Sequence, residues 1–236
     1  MTPKPRHPHQ LVVVGTDTDV GKTVISALVV QGLSAHYWKP VQCGDLEIGG
    51  DTGRVANLCG LSEAERKQRL LAEAYRLKAP ASPNQAAKEE GFAVDPAQLN
   101  LPPVDGPLVV ETAGGLLVPL RDDYLQIQQI QQWQLPVLLV ARSGLGTLNH
   151  TLLSLEALQR RQIPVLGLIL NGPRHSANHQ TLSAMSGTTV LAEVEPQPTL
   201  DQKVLSRLWR SSGLAERLPA ALEARPLLRH RRLNTF

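Results

Sequence analysis

Residues Leu11–Thr23 read LVVVGTDTDVGKT. The first residues form a short β-branched run closed by Gly15, and Thr23–Leu33 is apolar with few breakers, so the segment reads as strand, loop, helix. A glycine-bounded loop that leaves a strand and opens a helix is built to cradle phosphate, because backbone N–H groups and the helix N-terminus both face an anion. Within GTDTDVGKT, Gly15 to Thr23, Lys22 is placed to reach the β- and γ-phosphates of a nucleotide and the Thr23 hydroxyl to ligate Mg²⁺. Five residues separate the loop glycines, where the common pattern has four.

Outward from the loop, His36–Gln42, Pro107–Glu111, Pro136–Ala141, Ile163–Asn171 and Thr189–Val194 read as further strands, most of them nearly continuous in apolar residues. Helical patterns fill the intervals: Asp51–Cys59, Ser62–Ala74, Tyr124–Gln134, Thr147–Arg161, Ala177–Met185 and Leu200–Ser211. Buried strands alternating with helices make a mostly parallel sheet covered on both faces, and hence a three-layer α/β/α P-loop NTPase domain. Lys78–Gly106, rich in Pro, Ala and Asn, reads as an irregular excursion with a short helix near Asn84–Glu90. An excursion of that length in a compact domain is expected to lie partly at the active site.

A chain of 236 residues can organise one core. The expected division is a flexible N-terminus over residues 1–10, a single domain over 11–224 and a basic C-terminal tail over 225–236. The formal charge is +3, but Lys4, Arg6, Arg225, Arg229, Arg231 and Arg232 all lie in the tails, which leaves the body net negative. A basic nucleic-acid face is not expected. The apolar runs are far shorter than the roughly 20 residues a membrane-spanning helix requires. Before Leu11 the chain has no apolar stretch of the secretory kind, so a cytoplasmic location is expected. Cys43 and Cys59 lack metal-ligand spacing and read as reduced thiols.

Three further charged residues stand out, of which Lys39 falls on the same sheet edge as the loop. Lys39, in YWKPVQ, ends the second strand, where it is either a second cation for the phosphates or an exposed lysine before a turn. Asp51 follows Gly49 and Gly50 at a helix start and on its own reads as an N-cap. Glu111 ends the apolar run PLVVE before TAGG, a position suited to Mg²⁺ or its water. No Ser/His/Asp or Cys/His arrangement points to a covalent nucleophile.

Taken in order, GTDTDVGKT, YWKPVQ, GDT, YRLKAPASP, VETAGGLLVPL, GLGTLNHTLLSLEAL and LILNG resemble the dethiobiotin synthetase family from Leu11 to Glu195, including the spacing of the loop glycines. The resemblance implies a homodimeric ligase that turns 7,8-diaminononanoate, CO₂ and ATP into dethiobiotin, ADP and phosphate. It implies nucleotide contacts from Gly15, Thr18, Asp19, Val20, Gly21, Lys22 and Thr23, with Asn171 reading the adenine. Thr23, Asp51 and Glu111 would hold Mg²⁺, and Lys22 and Lys39 would act on the phosphates and the carbamate. Asp19, Lys39, Cys43 and Gly114 would face the substrate. Gly146–His150 would offer a helix start, with Leu148 and Asn149, to the substrate's tail carboxylate across the dimer.

Some positions depart from the family pattern. Cys43 stands where Ser or Thr is usual, Thr112 where Gly is common, and Glu195–Thr199 matches poorly the segment that closes over adenine. Partner-binding switch ATPases of the partitioning type share the scaffold, but they carry an extra lysine near the loop start, where this chain has Thr16 and Asp17. The amidotransferase-type synthases acting on cobyrinate carry a further glutaminase domain, for which this chain is too short.

Overall fold

The structure, a computed structural model, describes residues 9–224. The expected basic tail, and the expected flexible N-terminus except its last two residues, lie outside the described residues. In chain order the elements are β1 (Gln10–Gly15), α1 (Lys22–Gly32), β2 (His36–Trp38), β3 (Val41–Cys43), α2 (Gly50–Leu58), α3 (Glu63–Arg69) and β4 (Leu70–Leu71). There follow β5 (Tyr75–Leu77), α4 (Pro83–Glu89), β6 (Leu108–Gly115), β7 (Pro119–Arg121), β8 (Tyr124–Leu125) and α5 (Gln126–Trp133). The last are β9 (Val137–Arg142), α6 (Thr147–Arg160), β10 (Val165–Asn171), α7 (Ser176–Ser186), β11 (Val190–Val194), α8 (Gln202–Ser211) and α9 (Leu214–Glu223).

The central sheet has the order β11-β10-β9-β1-β6-β2-β4, with every pairing parallel. From β1 the chain builds toward β4, returns to insert β6 between β1 and β2, and then builds through β9 to β11. Connections therefore diverge on either side of β1, and such a switch point opens a crevice at the carboxyl ends of the strands. Alternate residues of each strand feed opposite cores. Val12, Val110, Leu139 and Leu170 pack on one face, and Leu11, Val13, Val109 and Val140 meet Ile25 and Leu28 of α1 on the other.

Some elements differ from expectation. The strand His36–Gln42 is broken into β2 and β3, because Pro40 has no N–H for a ladder. β3 pairs with β5 in a separate small sheet. The helix Ser62–Ala74 stops at Arg69, after a Ser62–Glu65 capping box has started it, and Leu70–Leu71 extend into the edge strand β4. α9 was not foreseen. Its Leu214, Leu218 and Leu222 are buried at helical spacing, yet Pro219 sits inside it and reads in sequence as a breaker.

Candidate active site

Strand register assembles the site. Trp38 of β2 pairs with Val110 of β6, so Lys39 and Glu111, the next residues of each chain segment, emerge side by side. On the other side Glu111 pairs with Val13, two residues before the phosphate loop begins. Glu111 lies two positions beyond Val109 and so shares the α1 face of the sheet. There the first turn of α1 presents Thr23.

The resulting cluster is tight, with Lys39 and Glu111 buried and Thr23 and Asp51 half-buried. Thr23 Oγ1 lies 3.0 Å from Asp51 Oδ1 and 2.9 Å from Glu111 Oε1, so one hydroxyl proton serves two carboxylates. Lys39 Nζ lies 2.6 Å from Asp51 Oδ2 and 3.1 Å from Glu111 Oε1, and it also donates to the Thr112 carbonyl at 3.1 Å. Glu111 is fully buried and Lys39 is 3% exposed, so Lys39 is not an exposed turn lysine. Nor is Asp51 an N-cap. Gly49, in the left-handed region at φ 81°, caps α2 with no side-chain bond, and the Asp51 carboxylate turns to Thr23 and Lys39 instead.

Burial alone would lower the Lys39 pKa, but the Glu111 and Asp51 carboxylates outweigh it and hold the ammonium above its ordinary value. Asp51 is held below the usual carboxylate range: burial opposes this, and the charge and hydrogen bond of Lys39 prevail. Beneath the cluster, the buried Tyr37 hydroxyl donates to Glu111 Oε2 at 3.0 Å. Burial first, and then the charge of Glu111, push that phenol well above its ordinary pKa. It stays a donor.

The phosphate loop is held from three sides. Asp17 Oδ1 accepts the Thr18 N–H at 2.8 Å, Asp17 Oδ2 pairs with Arg142 at 2.9 Å, and the Asp17 carbonyl accepts Lys22 Nζ at 2.9 Å. Burial and the neighbouring Lys39 charge lower the Lys22 pKa to about 8, against the pull of Glu111, Asp51 and Asp19. Asn171, at the end of β10, donates to the Val20 carbonyl at 3.0 Å and packs over Gly21. Gly21 has φ 92°, and a side chain there would run into the Asn171 amide.

The other expected residues divide. Val20 is buried, Thr18 and Asp19 are exposed on the loop, and Gly114 follows Glu111 opposite Thr18. Cys43, in β3, is half-buried, and burial pushes its thiol up to about 11, so it is neutral. Leu148 packs against the core and Asn149 is exposed at the start of α6, and neither makes a hydrogen bond or ion pair with the cluster. Of the long excursion, Pro80 lies against Gly44, the residue after Cys43.

Sequence reasoning missed Tyr37, Gln42 and Gln126, whose only signal is a polar residue at a position the pattern makes internal. Gln126 brackets the backbone after Glu111. Its Oε1 accepts the Ala113 N–H at 3.0 Å, and its Nε2 donates to the Ala113 and Gly115 carbonyls at 2.8 Å.

A loop of this kind at the switch point of an all-parallel central sheet defines a P-loop ATPase. The family described as "AAA domain" matches residues 9–204. The chain is 47% identical to the ATP-dependent dethiobiotin synthetase BioD of Agrobacterium fabrum, covering 85% of this chain and 92% of that protein. It is 44% identical to BioD of Rhodopseudomonas palustris strain BisB18, over 90% and 96% of the two chains. It belongs to the dethiobiotin synthetase family.

Solved structures share the fold alone. Apo McdA of Cyanthece superposes with a TM-score of 0.56 at 14% identity, covering 90% of this chain and 98% of that one. The MinC:MinD cell division complex of Aquifex aeolicus gives 0.52 at 11% identity, over 93% and 97%.

Proposed function

We propose that the chain makes dethiobiotin: 7,8-diaminononanoate, CO₂ and ATP give the ureido ring, ADP and phosphate. Membership of the family supports this reading over a partitioning switch. The single structural observation that carries it is Lys39, a buried cation between two carboxylates and beside a phosphate loop.

Mg²⁺ fits the donor set. Thr23, Asp51 and Glu111 offer only hard oxygens, and both carboxylates lie within hydrogen-bond distance of the Thr23 hydroxyl. Among the described residues no group of three or more His, Cys, Asp or Glu could hold a metal ion. A hydroxyl with two carboxylates suits an ion that keeps several waters and shares phosphate oxygens. Bound there, Mg²⁺ would neutralise charge on the β- and γ-phosphates.

Each step concentrates negative charge, which the chain's own residues would meet. One amine attacks CO₂ and loses a proton, giving a carbamate whose oxygens Lys39 would pair. A carbamate oxygen then takes the γ-phosphoryl group while ADP leaves, with Lys22 and the loop amides holding the phosphates. The neighbouring amine attacks the carbonyl carbon and gives up a proton, phosphate departs and the ring closes. Asp19, exposed on the loop, would attract the ammonium groups of the diamine. Gly114 and the neutral Cys43 would line its path, and the free Asn171 Oδ1 suits the adenine amine.

The reading includes a homodimer in the cytoplasm, with residues 11–224 as one domain and Leu148 and Asn149 serving the substrate's tail carboxylate across the interface. Leu145 is fully exposed and Leu153 is 57% exposed beside them, as a partner face requires. Both cysteines are free thiols, which suits a reducing compartment. No helix of the described residues is long and apolar enough to cross a membrane. Feeding ¹³C-bicarbonate with the diamine and ATP tests the reaction: the label should appear in the ring carbonyl by mass spectrometry, and an unlabelled or absent product would contradict it.

A further inference from the structure

Gln42 is a glutamine at 3% exposure, three residues beyond Lys39 in the short strand β3. Its side chain is spent wholly on backbone. Oε1 accepts the Asp51 N–H at 2.9 Å, and Nε2 donates to the Gly44 carbonyl at 3.1 Å and the Cys43 carbonyl at 3.4 Å. The start of α2 has no side-chain cap of its own, so Gln42 takes up from another element one of the amides that a helix start leaves unpaired.

Gly50 independently marks the same contact. It sits at φ 64°, and a Cβ there would overlap Cγ, Cδ and Oε1 of Gln42. The glycine thus admits the amide to the helix start. The residue so held is Asp51, whose two oxygens face Thr23 and Lys39.

We infer that Gln42 is a positioning residue for the metal set, fixing the backbone of Asp51 so that its carboxylate stays aimed at Thr23. The same amide anchors the Cys43–Gly44 turn on the substrate side, so one side chain ties the substrate strand to the metal helix. The inference rests on the assignment of Thr23, Asp51 and Glu111 to Mg²⁺. Groups that orient metal ligands from outside the ligand set typically cost about 10- to 100-fold in metal affinity when removed.

The test uses Mn²⁺ as a paramagnetic stand-in, titrated into the full chain with a non-hydrolysable ATP analogue and followed by electron paramagnetic resonance. Gln42→Met should weaken Mn²⁺ binding by about tenfold, with metal-free affinity for the analogue and the thermal melt nearly unchanged. Gln42→Glu, which keeps an oxygen for the Asp51 N–H but loses the donor to the Cys43 and Gly44 carbonyls, should recover only part of the Mn²⁺ affinity. Native Mn²⁺ affinity in Gln42→Met overturns the inference, as does an equal loss in both variants or a parallel loss of metal-free nucleotide binding. A native protein with no ATP-dependent Mn²⁺ site fails at an earlier point, because it overturns the metal assignment itself.

Discussion

Lys39 Nζ stands 2.6 Å from Asp51 Oδ2, and the same ammonium reaches Glu111 Oε1. This cation lies between two carboxylates that share the hydroxyl of Thr23 and supplies the counter-charge for both. The arrangement binds charge of either sign. Its oxygens suit a divalent cation, and its nitrogen suits a carbamate.

Lys39→Ala should abolish turnover while nucleotide binding partly survives through Lys22 and the loop amides. It should also cost about 3 kcal/mol of stability, because Asp51 and Glu111 lose their counter-charge. ATP with Mg²⁺ should then raise the melting temperature of the variant less than that of the native protein, because the weaker binder gains less from its ligand. Full activity in the variant would remove Lys39 from the mechanism.

Tyr37→Phe deletes one oxygen and leaves Glu111 Oε2 buried without a donor. Urea unfolding should show a loss of about 2 kcal/mol with an unchanged slope. An unshifted midpoint would mean that Glu111 does not depend on this hydroxyl.

Much of this site was legible because its parts are local in sequence. The loop, Lys39, Asp51 and Glu111 each stand beside a glycine, a proline or a strand end that sets their place. What the sequence hid were contacts between distant segments. The role of Tyr37 depends on the register of β2 against β6, and that of Gln42 on α2 packing against β3. In the fold, Pro40 and Pro219 misled in opposite ways, one splitting a segment that reads as a single strand and the other lying inside a helix that its leucine spacing supports.

Gly21→Ala should weaken nucleotide binding and destabilise the loop by about 1–2 kcal/mol, from the left-handed backbone alone. The clash with Asn171 adds to this. Asn171→Ala in the same chain should restore part of the stability but not all of it, since the backbone strain remains. A strictly additive pair would show that the two side chains do not meet.

Lys22 supplies a pH dependence. Its folded pKa is depressed to about 8 from an ordinary 10.5, so between those values the unfolded chain holds a proton that the folded chain has released. Stability from this group therefore rises with pH across that window, and its burial opposes folding below about pH 8. Phosphate restores the charge. Above pH 8 nucleotide binding should take up a proton and weaken by up to about tenfold per pH unit. Calorimetry in buffers of different ionisation enthalpy measures the uptake, and a Lys22→Met variant should lose it.

The most direct measurement is phosphate release from ATP and Mg²⁺, with and without 7,8-diaminononanoate and bicarbonate, coupled to mass detection of dethiobiotin. Release that requires the diamine, one phosphate for each ring closed, is the predicted result. Release indifferent to the diamine, or none under any condition, would contradict the account and move the chain toward a switch ATPase or an inactive relative.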